Sequence, residues 1–300
     1  MKQPNDLHSE GTDDAQRRAS AVQPRPLQTT LLHVASSGGF GVWLLLGLSL
    51  AIGVYPAGRG DVLVPLALGG LLIGTGLLSA CLHAPWMPNW HGWRIGAGSR
   101  PTRDALIALA TILPVLAVAG LARGDNTFWV TRLAATALAV CSLTSLIITA
   151  FGDARRRVPA MDLRLATQLP LSRVITAAYG GGLWLWLCVA GQDSDGTDDA
   201  SMNWIILLLM LALLRGLVEN LRWQSVLMRL PGLHPRMELQ PRRYLAVVLE
   251  YAVPCAALLL ASFDDGRLLA AGVAALSCLW GMGIELSLYD EALAALPSDR

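Results

Sequence analysis

Long apolar runs, broken at intervals by proline, glycine and charge, restrict this chain to a fold that spans a membrane. A helix needs roughly 20 mainly apolar residues to cross ~30 Å of hydrocarbon. Eight runs meet or approach that length: Leu31–Tyr55, Val62–Leu82, Ala105–Leu121, Phe128–Phe151, Val174–Ala190, Met202–Val218, Leu245–Phe263 and Leu268–Leu288. Only 15% of the 300 residues are charged, against 54% apolar, which excludes an ordinary soluble domain with its charge content of about 25%. The expectation is an all-α integral membrane protein of about eight transmembrane helices, arranged as two packed four-helix bundles. Residues 1–30 then form a polar arm, residues 31–290 the transmembrane domain and residues 291–300 a short tail.

The arm mixes both signs of charge with prolines and has no apolar core of the kind a cleavable signal peptide requires. It is expected to be disordered. Arg17-Arg18 has no apolar stretch close behind it, which separates it from a twin-arginine export signal.

Basic residues favour alternate loops. The arm holds Lys2, Arg17, Arg18 and Arg25; the segment after the second run holds Arg94, Arg100 and Arg103; that after the fourth holds Arg155, Arg156, Arg157, Arg164 and Arg173. The connection after the sixth run adds Arg222, Arg229, Arg236, Arg242 and Arg243. The opposite side offers Arg59, Arg123, Arg132 and Arg267, and the Gly191–Ser201 loop carries aspartates and no base. Because cytoplasmic loops collect lysine and arginine, both termini are expected in the cytoplasm.

Ionisable groups at membrane depth are costly and therefore mark candidate sites. Arg215 and Glu219, four apart on one helix face, read as a structural ion pair. Glu250 and Glu285 have no basic residue close in sequence, and each is either a buried hydrogen-bonded acid or a proton-handling group. The cysteines, Cys81, Cys141, Cys188, Cys255 and Cys278, fall singly in five different runs. They read as packing residues, and an iron-sulfur cluster in the usual four-cysteine spacing is excluded from this chain.

The segment from Cys81 to Asp104 concentrates polar and aromatic chemistry. His83 closes the second run, Asp104 opens the third, and Trp86, Trp90 and Trp93 recur between them at intervals of four and three, with His91 beside Trp90. An interfacial aromatic belt with a capped helix explains the tryptophans, Thr102 or Asp104 serving as the cap. A histidine and a carboxylate meeting at the edge of the hydrocarbon also suit quinol oxidation, in which a lipid-soluble diphenol loses two protons as its electrons leave. Bis-histidine haem is disfavoured: His8 is in the arm, His91 and His234 are in loops, and only His33 and His83 adjoin runs.

These residues resemble the membrane-anchor subunit of the dimethyl sulfoxide reductase family of complex iron-sulfur molybdoenzymes. Leu82-His83 matches the start of a Leu-His-Leu-Gly-x-Pro motif that ends the second helix, with Pro85 in place of the glycine and Asn89 where an arginine is common. Ser99-Arg100-Pro101-Thr102-Arg103-Asp104 is similar to the Ser-Trp-Leu-Ser-Arg-Glu-like opening of the third, with aspartate for glutamate. Ile147-Ile148-Thr149-Ala150-Phe151 and Gly283-Ile284-Glu285-Leu286 extend the likeness, the latter to the family's Gly-Glu-Leu.

The resemblance implies an anchor that oxidises menaquinol or ubiquinol at His83 and Asp104, with Trp86, Trp90, His91, Trp93 and Arg103 lining the pocket. It also implies a four-cluster iron-sulfur partner subunit and a molybdopterin catalytic partner. This chain would then hold no haem, iron-sulfur cluster or molybdenum, and would contact lipid but no nucleic acid. The family's best-known members turn the His83 loop to the periplasm, whereas the charge count here turns it, and the partners, to the cytoplasm. Two other readings fit the same residues: a secondary transporter working through Glu250 and Glu285, and a structural anchor without quinol chemistry.

Overall fold

The computed structural model describes residues 27–55, 61–82, 100–122, 128–157, 163–192, 198–227, 234–262 and 266–294. All regular structure among the described residues is helical: α1 (Leu27–Ile52), α2 (Leu63–Leu82), α3 (Arg100–Leu121), α4 (Trp129–Arg157), α5 (Leu163–Gln192), α6 (Asp198–Leu227), α7 (His234–Val247), a π-turn (Val248–Ala252), α8 (Val253–Ala261) and α9 (Arg267–Ala294). Within these, six segments are long and apolar enough to cross a membrane: Leu27–Ile52, Trp129–Phe151, Pro170–Gln192, Met202–Gln224, Gln240–Ala261 and Arg267–Ala292. The second and third expected spans fall on α2 and α3, whose described apolar stretches Leu63–Gly76 and Ala110–Leu121 are shorter. The protein is therefore an all-α membrane protein with six such helices among the described residues, where the run lengths suggest eight.

α1 is a hub that packs against α2, α4, α5 and α9. Helices in lipid associate by close packing rather than by hydrophobic exclusion, and small residues let backbones approach. At the crossing of α1 and α5 a β-carbon added to Gly41 would strike the carbonyl of Ala177, and one added to Gly181 would strike the Gly41 backbone. Glycine on both sides permits that contact. Polar ties hold the ends: the Tyr55 hydroxyl, just beyond α1, donates to Gln192 Oε1 at 3.3 Å, and Gln192 Nε2 donates to the Asp61 carbonyl at 2.8 Å. Burial pushes ionisation of the Tyr55 phenol up, which keeps it a donor.

α6 lies at the periphery. Ile206, Met210, Leu213 and Leu217 are exposed as lipid-facing residues, while Trp204, Leu208, Ala212, Arg215, Glu219 and Trp223 are buried at steps of three or four. One inward stripe thus changes from apolar to charged along its length. The apolar run expected to stop at Val218 continues as helix to Leu227, because the charges after it face inward to partners instead of starting a loop. Arg222, read from sequence as a loop base, lies inside this helix, and Arg164, Arg173, Arg242 and Arg243 are helical as well.

Candidate functional site: a buried ion network

The charged part of the α6 stripe meets two other elements. On α9, Cys278, Met282, Glu285 and Tyr289 recur at helical spacing. Between α7 and α8, Glu250 sits in the π-turn, near the midpoint of the 22-residue span Gln240–Ala261. The site is closed: Arg215 is 3% exposed, Glu219 5%, Glu250 0% and Glu285 6%.

The π-turn has a local cause. An α-helix would bond the N–H of residue 254 to the carbonyl of residue 250, and Pro254 has no N–H. The Tyr179 hydroxyl, from α5, donates to the Glu250 carbonyl at 3.0 Å in its place. Tyr179 also stacks on Tyr251, with ring centroids 6.2 Å apart and planes 10° apart. On the opposite side α9 approaches through Gly281, where a β-carbon would lie 2.7 Å from the Glu250 nitrogen and 2.9 Å from the Ala246 carbonyl. Proline and glycine together place the Glu250 side chain against α6 and α9.

Arg215 bridges two acids with a single nitrogen. Its Nη2 donates to Glu285 Oε2 at 2.9 Å and forms an ion pair with Glu250 Oε1. Trp223 Nε1 donates to the second Glu285 oxygen at 3.1 Å, so that carboxylate has a donor on each oxygen. Glu250 is held differently: it meets the same Arg215 Nη2 as an ion pair and has Tyr251 beside it, and Nε and Nη1 of Arg215 donate no hydrogen bond. A second pair lies beside the first. Arg222 Nη1 donates to Glu219 at 3.1 and 3.4 Å, Ser172 Oγ donates to Glu219 Oε2 at 3.2 Å, and the Arg222 guanidinium sits 3.6 Å from the Tyr289 ring centroid. Trp223 and Tyr289 meet edge to face, and Arg243 of α7 lies over Trp223 at 5.0 Å. At the rim Arg242 pairs with Glu291 at 3.7 Å.

Two sequence expectations change here. The ion pair read between Arg215 and Glu219 is replaced by Arg222 with Glu219, three apart, and by Arg215 with acids on other helices. Glu250 and Glu285, without a base close in sequence, share that arginine. Trp223 and Tyr179 are functional neighbours that the sequence reading did not select. The signal for Tyr179 was Pro254, which leaves a carbonyl at Glu250 in need of a donor.

His83, Trp86, Trp90, His91 and Trp93 lie outside the described residues. Arg103 and Asp104 fall in the first turns of α3, and their side chains are outside the described set. Among the described residues no group of three metal-binding side chains occurs. A cavity of about 10 Å³, bordered by Ser37, Thr176, Gly180 and Met282, lies one turn along α9 from Glu285; that volume suits about one water.

Fold and site together define a polytopic helical membrane protein built around a buried arginine-glutamate network. Compared with known proteins, the chain matches no family model, no curated protein and no solved structure.

Removing the Trp223 donor tests how tightly the network is tuned. Trp223→Phe keeps most of the ring packing but leaves Glu285 Oε1 without its partner, and a hydrogen bond to a charged group contributes about 1.5–3 kcal/mol. The variant is expected to melt several degrees below the wild type in detergent, as read by loss of helical circular dichroism. An unchanged melting temperature would mean that this oxygen is otherwise satisfied.

Proposed function

We propose that this protein is the membrane-anchor and quinol-oxidising subunit of a molybdopterin oxidoreductase complex, with eight spans in a bacterial inner membrane and both termini cytoplasmic. The observation that supports it is Glu285. This acid of the Gly283-Ile284-Glu285-Leu286 segment is buried, ion-paired to Arg215 and bonded to Trp223, opposite a second buried acid. An acid held this way at membrane depth suits a protein that manages protons. In this reading menaquinol or ubiquinol loses two protons and two electrons to become the quinone. His83 takes a proton, Asp104 relays a proton to water, and Trp86, Trp90, His91, Trp93 and Arg103 border the ring. The electrons pass to an iron-sulfur partner and on to a molybdopterin partner, which holds the chemistry of the terminal substrate.

Gentle solubilisation of tagged chain from native membranes, followed by mass spectrometry, tests this reading. An iron-sulfur protein and a molybdopterin protein are expected to co-purify. In that complex His83→Ala is expected to slow oxidation of a quinol analogue by about 100-fold or more, the usual contribution of a positioned proton acceptor.

A second reading, a secondary transporter, is favoured by the interrupted span at Glu250, since broken helices with polar centres mark transport sites. A chain that purifies alone, binds a small solute and loses that binding in Glu250→Gln would replace the first reading with this one. Co-purification of the two partners with quinol turnover intact in His83→Ala would instead leave a structural anchor.

A further inference from the structure

The ion network does not balance. Among the described residues three carboxylates, Glu219, Glu250 and Glu285, meet two guanidiniums, Arg215 and Arg222. Arg222 has its own acid in Glu219, which also accepts from Ser172. Arg215 is the guanidinium in contact with Glu250 and Glu285, and it reaches both through the same Nη2; Arg222, already paired with Glu219, acts on Glu285 from farther off, so the five groups still carry one acid more than they have bases. Two ionised carboxylates on one cation would leave a net negative charge at membrane depth, where an uncompensated charge costs several kcal/mol or more. When two carboxyl groups crowd one site, a single proton removes both the surplus charge and the repulsion.

We infer that Glu250 and Glu285 hold one proton between them, so that the Arg215 triad is a proton-binding site inside the membrane domain. The hydrogen bonds assign its resting place. Glu285 has a separate donor on each oxygen, which suits an ionised carboxylate, whereas Glu250 is fully buried and shares the one Arg215 nitrogen that already donates to Glu285. The proton therefore rests on Glu250, and the O–H points toward Glu285. Taking up the proton turns one carboxylate into a carboxylic acid; releasing it restores the charge, with no other bond made or broken.

The groups around Glu250 are compatible with this. Tyr251 and Cys255 stand on its own span, Cys278 and Glu285 on α9, Arg215 and Glu219 on α6, and Tyr179 on α5. Arg243 of α7 faces Trp223 at 5.0 Å, and Arg173 follows Ser172 in the sequence of α5. The phenols and thiols are neutral donors and add no cation. The π-turn gives Glu250 a backbone that is already interrupted, a feature common at functional sites. None of this depends on a quinol or on partner subunits, so the inference stands apart from the anchor reading.

Infrared spectroscopy of the full chain in lipid vesicles reads the proton directly. A buried carboxylic acid shows a carbonyl stretch that an ionised carboxylate lacks, and the band shifts in heavy water. At neutral pH the wild type is expected to show this band, and uniform carbon-13 labelling of glutamate should lower its frequency. Glu250→Gln and Glu285→Gln should each abolish it, because the surviving acid then has Arg215 to itself and ionises. Glu219→Gln should leave it in place.

Absence of the band in the wild type, or a band insensitive to glutamate labelling, overturns the inference even if every variant fails to fold. Persistence of the band in Glu250→Gln or in Glu285→Gln overturns it too, as does its loss in Glu219→Gln alone. Co-purification of the chain with partner subunits is unaffected by any of these results, so failure here is distinguishable from failure of the anchor reading.

Discussion

Arg215→Gln is expected to be the most damaging single substitution in the described part of the protein. It removes the cation shared by Glu250 and Glu285 and leaves a buried carboxylate with only the Trp223 N–H. Breaking a buried ion pair from one side costs about 3–5 kcal/mol, whereas replacing both partners with neutral groups is often tolerated. The expected result is a large fall in folded yield and in melting temperature after detergent extraction. Arg215→Gln combined with Glu285→Gln should recover most of that loss, since no ionised group is then stranded. If the single variant melts with the wild type, Arg215 does not neutralise these acids.

Arg222→Gln is expected to be nearly as costly, for the neighbouring pair. Glu219 would keep only the Ser172 hydroxyl, and the contact of the guanidinium with the Tyr289 ring would be lost. The same one-sided rule gives about 3–5 kcal/mol. Rescue should follow the observed pairing: Glu219→Gln should restore Arg222→Gln but not Arg215→Gln, and Glu285→Gln the reverse. A helix-face pairing of Arg215 with Glu219 predicts the opposite assignment. Melting temperatures of the four double variants therefore decide which acid belongs to which arginine.

The site was partly legible. Glu250 and Glu285 stand out in sequence because a carboxylate within a long apolar run has no water to solvate it. Their partner did not stand out. Arg215 has Glu219 four residues away and Arg222 has it three residues away, and both spacings bring side chains together on a helix surface. Which pair forms depends on what else approaches: Glu285 lies 70 positions from Arg215 and Ser172 lies 47 from Glu219. The end of α6 was misread for a related reason. Charge after Val218 looks like a departure from the membrane, yet Glu219 and Trp223 continue the inward stripe and are buried.

By itself the sequence determined the architecture class and placed the acids within long apolar runs. The hydrocarbon thickness sets a length that an apolar run must match, and both quantities are counted along the chain. Pro254 carries the cause of the break at Glu250, because a proline withholds its N–H at a fixed distance of four residues, but the sequence reading did not select it. Only the tertiary structure decided the ionic pairing and its imbalance. Coulombic partnership depends on the separation of side chains carried by different helices, and that separation is fixed by close approaches such as Gly281 against the Glu250 backbone, which leave no periodic trace in the sequence.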